Sequence, residues 1–328
     1  MLFELADLKA AEALVRGFFP PTPQYAWPLL GEAVSEGQDP VEVWVKHENH
    51  TPIGAFKVRG GLVFMERLVR ERPHVAGIVS ATRGNHGQSL AFAGRAFGVP
   101  VVIVVPHGNS PDKNAAMRAF GAELVEHGRD FQEAREHASQ LAAARGLEVV
   151  PPFQRDLACG VGTYGLELLS AVPDLSAVYV PVGMGSGLTS LLTVRDLLGL
   201  ECEIVGVVSE RAPSTALSVA AGHAVSTDDA ATFADGVACR QPDAEAIAIM
   251  LAGRARILTI SEDAIAEAMR TLHRTTHSMA EPAGAVALAG LVSERATRAN
   301  QRVAVILSGG NVDAPMLRDV LLGRTPPA

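Results

Sequence analysis

The chain is poor in cysteine, in aromatic side chains and in positive charge, and it has no long uninterrupted apolar run. Its three cysteines, Cys159, Cys202 and Cys239, lie far apart among 328 residues and form no CxxC pair. A disulfide framework is therefore not expected, and a reducing compartment is. No segment reaches the roughly 18 apolar residues that a membrane helix needs. The N-terminal stretch "MLFELADLKAAEALVRG" carries Glu4 and Asp7 in an amphipathic pattern, so it reads as a surface helix and not as a secretory signal. The expected location is the cytoplasm. With 28 Lys and Arg against 36 Asp and Glu, the formal charge is -8. That balance argues against nucleic acid or an anionic membrane surface as partner. The longest cationic cluster, "RLVRERP", reads as ordinary helix surface. Aromatics make up only 5% of the chain, so Ala, Val and Leu must fill the core, which suits helices packed closely on a parallel sheet.

What is present is an alternation. From about residue 75, short apolar runs ("VAGIVSA", "VPVVIVVP", "AELVEH", "LEVVPP", "LSAVYVPVG", "CEIVGVVS", "RILTI", "VAVILSGG") alternate with helical stretches. Continuous Val/Ile runs, without strict alternation, predict strands buried on both faces, hence an α/β fold with parallel sheets covered by helices. "VVPPFQRD", 149–156, is the expected crossing between two lobes. No internal repeat, low-complexity tract or appended regulatory domain is visible.

Three of these strand ends carry unusual loops, at the place where open α/β sheets bind ligands. After "YVPV" comes "GMGSGLTSLL", 183–192, with glycines and a serine before a helix. Such amides can hold a phosphate, and a plain tight turn explains the run equally well. It is neither a G-x-G-x-x-G fingerprint, since Leu188 stands where the last glycine belongs, nor a P-loop. After "GIVSA" comes "TRGNHGQS", 82–89, where the bland reading makes Thr82 a helix cap and His86 a neutral, satisfied histidine. After "VAVIL" comes "SGGNVD", 308–313, read blandly as a turn with Asn311 left-handed. A fourth segment, "PIGAFKVRGG", places Lys57 between a phenylalanine and glycines; alone it reads as a solvated turn.

Taken together, in order and spacing, these four segments resemble the fold type II pyridoxal-phosphate enzymes, most closely the serine/threonine dehydratase (threonine ammonia-lyase) and serine racemase branch. The resemblance covers nearly the whole chain and extends to "KHENHTPIGAFKVRGG", "ADGVACRQP", "SEDAIAEAMR" and "EPAGAVALAGL". It implies two lobes, each with a mostly parallel twisted sheet: a large cofactor-binding domain of residues 1–74 and 152–328, and a small domain of residues 75–151. It implies pyridoxal 5'-phosphate as cofactor, held through a Schiff base on Lys57. Phe56 would pack on the pyridine ring and Asn85 would bond its 3-hydroxyl. Gly183, Gly185, Ser186 and Gly187 would cradle the phosphate, and Ser308 would face the ring nitrogen. Thr82, Arg83, Asn85 and His86 would bind the substrate carboxylate.

A lysine in apolar and cationic surroundings has a lowered pKa and serves as nucleophile and base. A hydroxyl opposite the ring nitrogen makes a weaker electron sink than a carboxylate would, which favours prompt loss of a β substituent. The implied reaction is dehydration of a β-hydroxy amino acid (threonine, serine, phenylserine or 3-hydroxyaspartate) to a 2-oxo acid and ammonia, by a homodimer. Three departures matter. "GMGSG" is bulkier than the branch's usual run of glycines. Arg83 stands where racemases carry a serine, which argues against racemisation. Val208 stands where metal-dependent members carry a carboxylate, so no structural metal is expected even with Glu210 nearby. A β-replacement enzyme and a catalytically silent cofactor-binding protein remain the alternatives.

Overall fold

The computed structural model describes residues 1–37 and 39–327. Its strands are β1 (Gln24–Ala26), β2 (Glu42–His47), β3 (Ile78–Ala81), β4 (Val101–Val105), β5 (Glu123–Glu126), β6 (Glu148–Val149), β7 (Ala177–Pro181), β8 (Glu203–Ser209), β9 (Arg256–Ile260) and β10 (Arg302–Leu307). They form a six-stranded sheet, β1-β2-β10-β7-β8-β9, and a four-stranded sheet, β5-β4-β3-β6. Every pairing is parallel except that of β1 with β2. The smaller sheet is built wholly from strands between residues 78 and 149, and the chain re-enters the larger sheet at β7.

The apolar runs behave as their composition dictates. Strands β3 and β4 are buried at every position, as unbroken Val/Ile runs between helix layers must be. Edge strand β9 is largely half-buried, so its run "RILTI" was less of a core segment than it looked. Two strands escaped the sequence reading. One is the three-residue β1; the other is β2, "EVWVKH", whose lysine and histidine disguise a strand in which Lys46 and His47 are buried.

Two glycine contacts set where the first turn of the Lys57–Glu71 helix lies. A Cβ on Gly60 would stand 2.5 Å from the Leu157 carbonyl oxygen, and one on Gly160 would stand 2.2 Å from that of Arg59. The Lys57–Glu71 helix and the Arg155–Ala171 helix therefore touch backbone to backbone. The glycines after Lys57 serve helix crossing, not a solvated turn. Arg59, fully buried, fixes the same turn. It bonds Glu48 (Nε to Oε2, 2.7 Å), Glu167 (Nη1 to Oε1, 2.8 Å) and Thr163 (Nη1 to Oγ1, 2.9 Å). Lys46 bonds the other Glu167 oxygen at 2.6 Å. Two cations face two carboxylates, so the buried cluster is neutral and each charge is satisfied.

Candidate active site

The four loop segments converge at the strand ends. The Phe56 backbone N–H donates to the Ser308 carbonyl at 3.0 Å, and Ala55 bridges to Gly309. Lys57, the first residue of its helix, donates from Nζ to Ser186 Oγ at 3.0 Å. Its Nζ also lies 4.8 Å from the Phe56 ring centroid, and that ring packs edge-on against Tyr164. Lys57 is half-buried, and loss of hydration alone lowers its ammonium from the ordinary 10.5 to about 8. This amine therefore gives up its proton far more readily than an ordinary lysine.

Ser186 opens the helix Ser186–Leu197. Gly185 before it is left-handed, φ 97°, and a Cβ there would stand 2.5 Å from the Met250 methyl. A Cβ on Gly183 would stand 2.5 Å from the Gly236 carbonyl oxygen. Any side chain would therefore fill or distort this cradle. Among the described residues, the amides of Gly183, Met184 and Gly185 donate to no backbone acceptor, and the first amides of the helix are free by geometry. A buried hydroxyl, glycines and a positive helix end form a donor set that fits a phosphate group. Tyr164 Oη donates to the Gly187 carbonyl at 3.2 Å and braces the loop from behind.

The Asn85–Phe97 helix starts at the second loop. Thr82 is not its cap; that position belongs to Gly84, whose N–H bonds Thr82 Oγ1 at 3.3 Å. Asn85 Oδ1 accepts from Asn311 Nδ2 at 2.8 Å, while Asn85 Nδ2 donates to Glu281 Oε1 at 2.7 Å. Asn311 is not left-handed, and its side-chain amide is engaged: the same Nδ2 also reaches the Ile53 carbonyl at 2.8 Å. His86 is buried, with Nε2 unpartnered among the described residues. Burial first and then the Lys57 charge lower it to about 3, against the pull of the Val150 backbone. It is a neutral group at working pH. Ser308 is buried, and no described side chain bonds its hydroxyl. Arg83 is exposed and makes no ion pair among the described residues. Val208 is buried within β8, while Glu210 is exposed just beyond it. Among the described residues no group of three His, Cys, Asp or Glu is arranged to hold a metal ion, and no helix is long and apolar enough to cross a membrane.

Sequence reasoning missed Glu281, Asn311 and Tyr164 as site residues. Glu281 lay inside the quoted "EPAGAVALAGL", but only the fold brings it to Asn85, 196 residues away. The groups gathered here suit a pyridoxal-phosphate group: an amine of lowered pKa, an anion cradle, an oriented amide, and a buried serine whose carbonyl bonds Phe56.

The family model described as "Pyridoxal-phosphate dependent enzyme" matches residues 16–309. The L-threonine ammonia-lyase of Geobacter sulfurreducens is 36% identical over 282 residues, covering 86% of this chain and 70% of that protein. The L-threo-3-hydroxyaspartate ammonia-lyase of Saccharomyces cerevisiae is 29% identical, covering 90% and 91%. The processed form of threonine deaminase isoform 2 from Solanum lycopersicum superposes with a TM-score of 0.88 at 28% identity, covering 99% and 95%. This chain spans about half the length of the biosynthetic threonine dehydratases it also matches.

Proposed function

The chain belongs to the pyridoxal-phosphate-dependent enzymes, and on that premise we propose that it dehydrates a β-hydroxy amino acid to a 2-oxo acid and ammonia. The observation that carries this reading is the lowered Lys57 amine, held 3.0 Å from Ser186 at the mouth of the glycine cradle. When bound, the cofactor supplies an aldehyde that forms an imine with an amine, and a conjugated ring that accepts electrons released at Cα.

The chain's own residues do the rest. Lys57, neutral once displaced by the substrate amine, takes the Cα proton. The free amides at 183–187 would hold the phosphate. Asn85, its orientation fixed by Asn311 and Glu281, would offer its remaining N–H to the ring oxygen. Ser308 would offer the ring nitrogen a hydroxyl instead of a carboxylate, a setting that favours prompt loss of the β-hydroxyl, protonated to water as it leaves, over retention of the electrons. Thr82, His86 and the N-terminus of the Asn85–Phe97 helix hold the substrate carboxylate, with Arg83 at the rim. Loss of water across Cα and Cβ leaves an enamine, which hydrolyses to the 2-oxo acid and ammonia.

Residues 1–74 and 152–328 form the cofactor-binding domain in this reading, and residues 75–151 the smaller one. The enzyme is a cytoplasmic homodimer that needs no metal. Support for the substrate class comes from relatives named for threonine and for 3-hydroxyaspartate. The test is product analysis over stereoisomers of threonine, serine, 3-hydroxyaspartate and phenylserine, with and without an added thiol. Equal yields of 2-oxo acid and ammonia, unaffected by thiol, are expected. A thioether amino acid as the main product would replace this reading with β-replacement.

A further inference from the structure

Glu281 occupies the N-cap position of the helix Pro282–Ser293, where its side chain makes no capping bond, and is 2% exposed. Its backbone N–H donates to the Gly309 carbonyl at 3.1 Å, and its Oε1 accepts from Asn85 Nδ2 at 2.7 Å. A Cβ on Gly309 would stand only 2.4 Å from that Oε1. Glu281 therefore joins the turn that carries Asn85 to the turn that carries Ser308. Its second oxygen, Oε2, is buried and has no hydrogen-bond partner among the described residues. Such an atom is costly to leave unsatisfied, and more so when it is charged.

We propose that Glu281 is a positioning residue that sets the charge of the site through Asn85, and that its uncharged form is the one that admits an anionic ligand. The inference rests on the cofactor site proposed above. The Asn85 amide is fixed at both ends, since Oδ1 takes the Asn311 N–H and one Nδ2 hydrogen goes to Glu281. A single N–H is left for a ligand. An uncharged Glu281 still accepts from Asn85 through its carbonyl oxygen, and its proton sits on Oε2, where a neutral hydroxyl costs less to leave unpaired than a charged oxygen. An ionised Glu281 leaves a bare buried oxygen and puts a negative charge on the far side of the same amide that meets the anionic ring oxygen. Two charged groups face Glu281. Lys113, on the helix Pro111–Ala119, attracts it, but Lys113 is already ion-paired with Asp235, which repels it. Burial first, with Asp235 adding to it and Lys113 and Asn85 opposing, raises the Glu281 carboxyl to about 7. The switch therefore falls within the working pH range.

The test needs no turnover. The dissociation constant of pyridoxal phosphate is measured on cofactor-free protein by equilibrium dialysis from pH 6 to pH 8.5, for wild type, Glu281→Gln and Asp235→Asn. Lys57 and the ligand's phosphate titrate in all three, so the ratio of wild type to Glu281→Gln isolates Glu281. That ratio is expected to rise about tenfold across the range, the effect of one nearby like charge. Asp235→Asn removes the repelling carboxylate and frees Lys113, so the wild-type rise should move to lower pH even if Glu281→Gln does not fold. A ratio constant with pH, or no movement in Asp235→Asn, overturns the inference. Absence of binding to wild type at every pH would instead overturn the cofactor reading itself.

Discussion

Lys57 Nζ lies 3.0 Å from Ser186 Oγ, although 129 residues separate them in the chain. The base and the anion cradle are thereby one unit, since Ser186 belongs to both the lysine's hydrogen bond and the helix end. Ser186→Ala removes the hydroxyl but leaves every cradle amide in place. One such bond to a charged group contributes about 1.5–3 kcal/mol. Cofactor affinity in Ser186→Ala should fall on the order of tenfold, as read by equilibrium dialysis.

The Lys57 amine also leaves a signature in stability. Its folded value, about 8, lies below the ordinary 10.5. Between those values the unfolded chain holds a proton that the folded chain has lost, so stability rises with pH across that window. The Tm of cofactor-free wild type should therefore gain on that of Lys57→Met as pH increases from 8 towards 10.5. Parallel curves would mean that burial does not depress the amine.

Ser308 is a test of electronics. Ser308→Asp places a carboxylate in a buried position, where it is tolerated only if it holds a proton on the facing ring nitrogen. That proton would strengthen the electron sink. Dehydration should slow, and a new long-wavelength absorption band should appear with substrate. Wild-type behaviour in Ser308→Asp would show that Ser308 does not face the ring.

Arg83 is exposed, so any contact it made with the substrate carboxylate would be made from the rim. A charge-assisted contact made there, partly in water, is worth at most about 1.5–3 kcal/mol. Arg83→Ala should lower kcat/KM roughly tenfold for the best substrate and leave cofactor content unchanged. An unchanged kcat/KM across the substrate panel would make Arg83 an ordinary surface residue.

The loops were legible in the sequence because their residue types are chemically unusual where they stand. Glycines before a helix at 183–187 and a lysine beside Phe56 have few structural explanations in combination. Strands β3, β4, β7, β8 and β10 were legible for a different reason, as runs rich in Val and Ile admit little else. β2 was hidden because Lys46 looks like surface until Glu167, 121 residues later, is seen to neutralise it. Glu281 was hidden in the same way. A glutamate before a proline reads as a helix start, and its helix-capping position is real. Its role toward Asn85 exists only once the 85 and 308 turns meet. Asn311 was misread because a turn asparagine suggests a left-handed backbone, whereas here the side chain does the work by bonding Ile53 and Asn85.

Borohydride reduction of the holoenzyme, followed by peptide mass mapping, tests the assignment of Lys57 most directly. Besides the half-buried Lys57, two lysine side chains, Lys46 and Lys113, are well buried, and each is already ion-paired. The expected result is a single pyridoxyl label on the peptide that contains Lys57, and no incorporation or turnover in Lys57→Ala. Recovery of the label on Lys46, Lys113 or any other lysine would contradict the site described here.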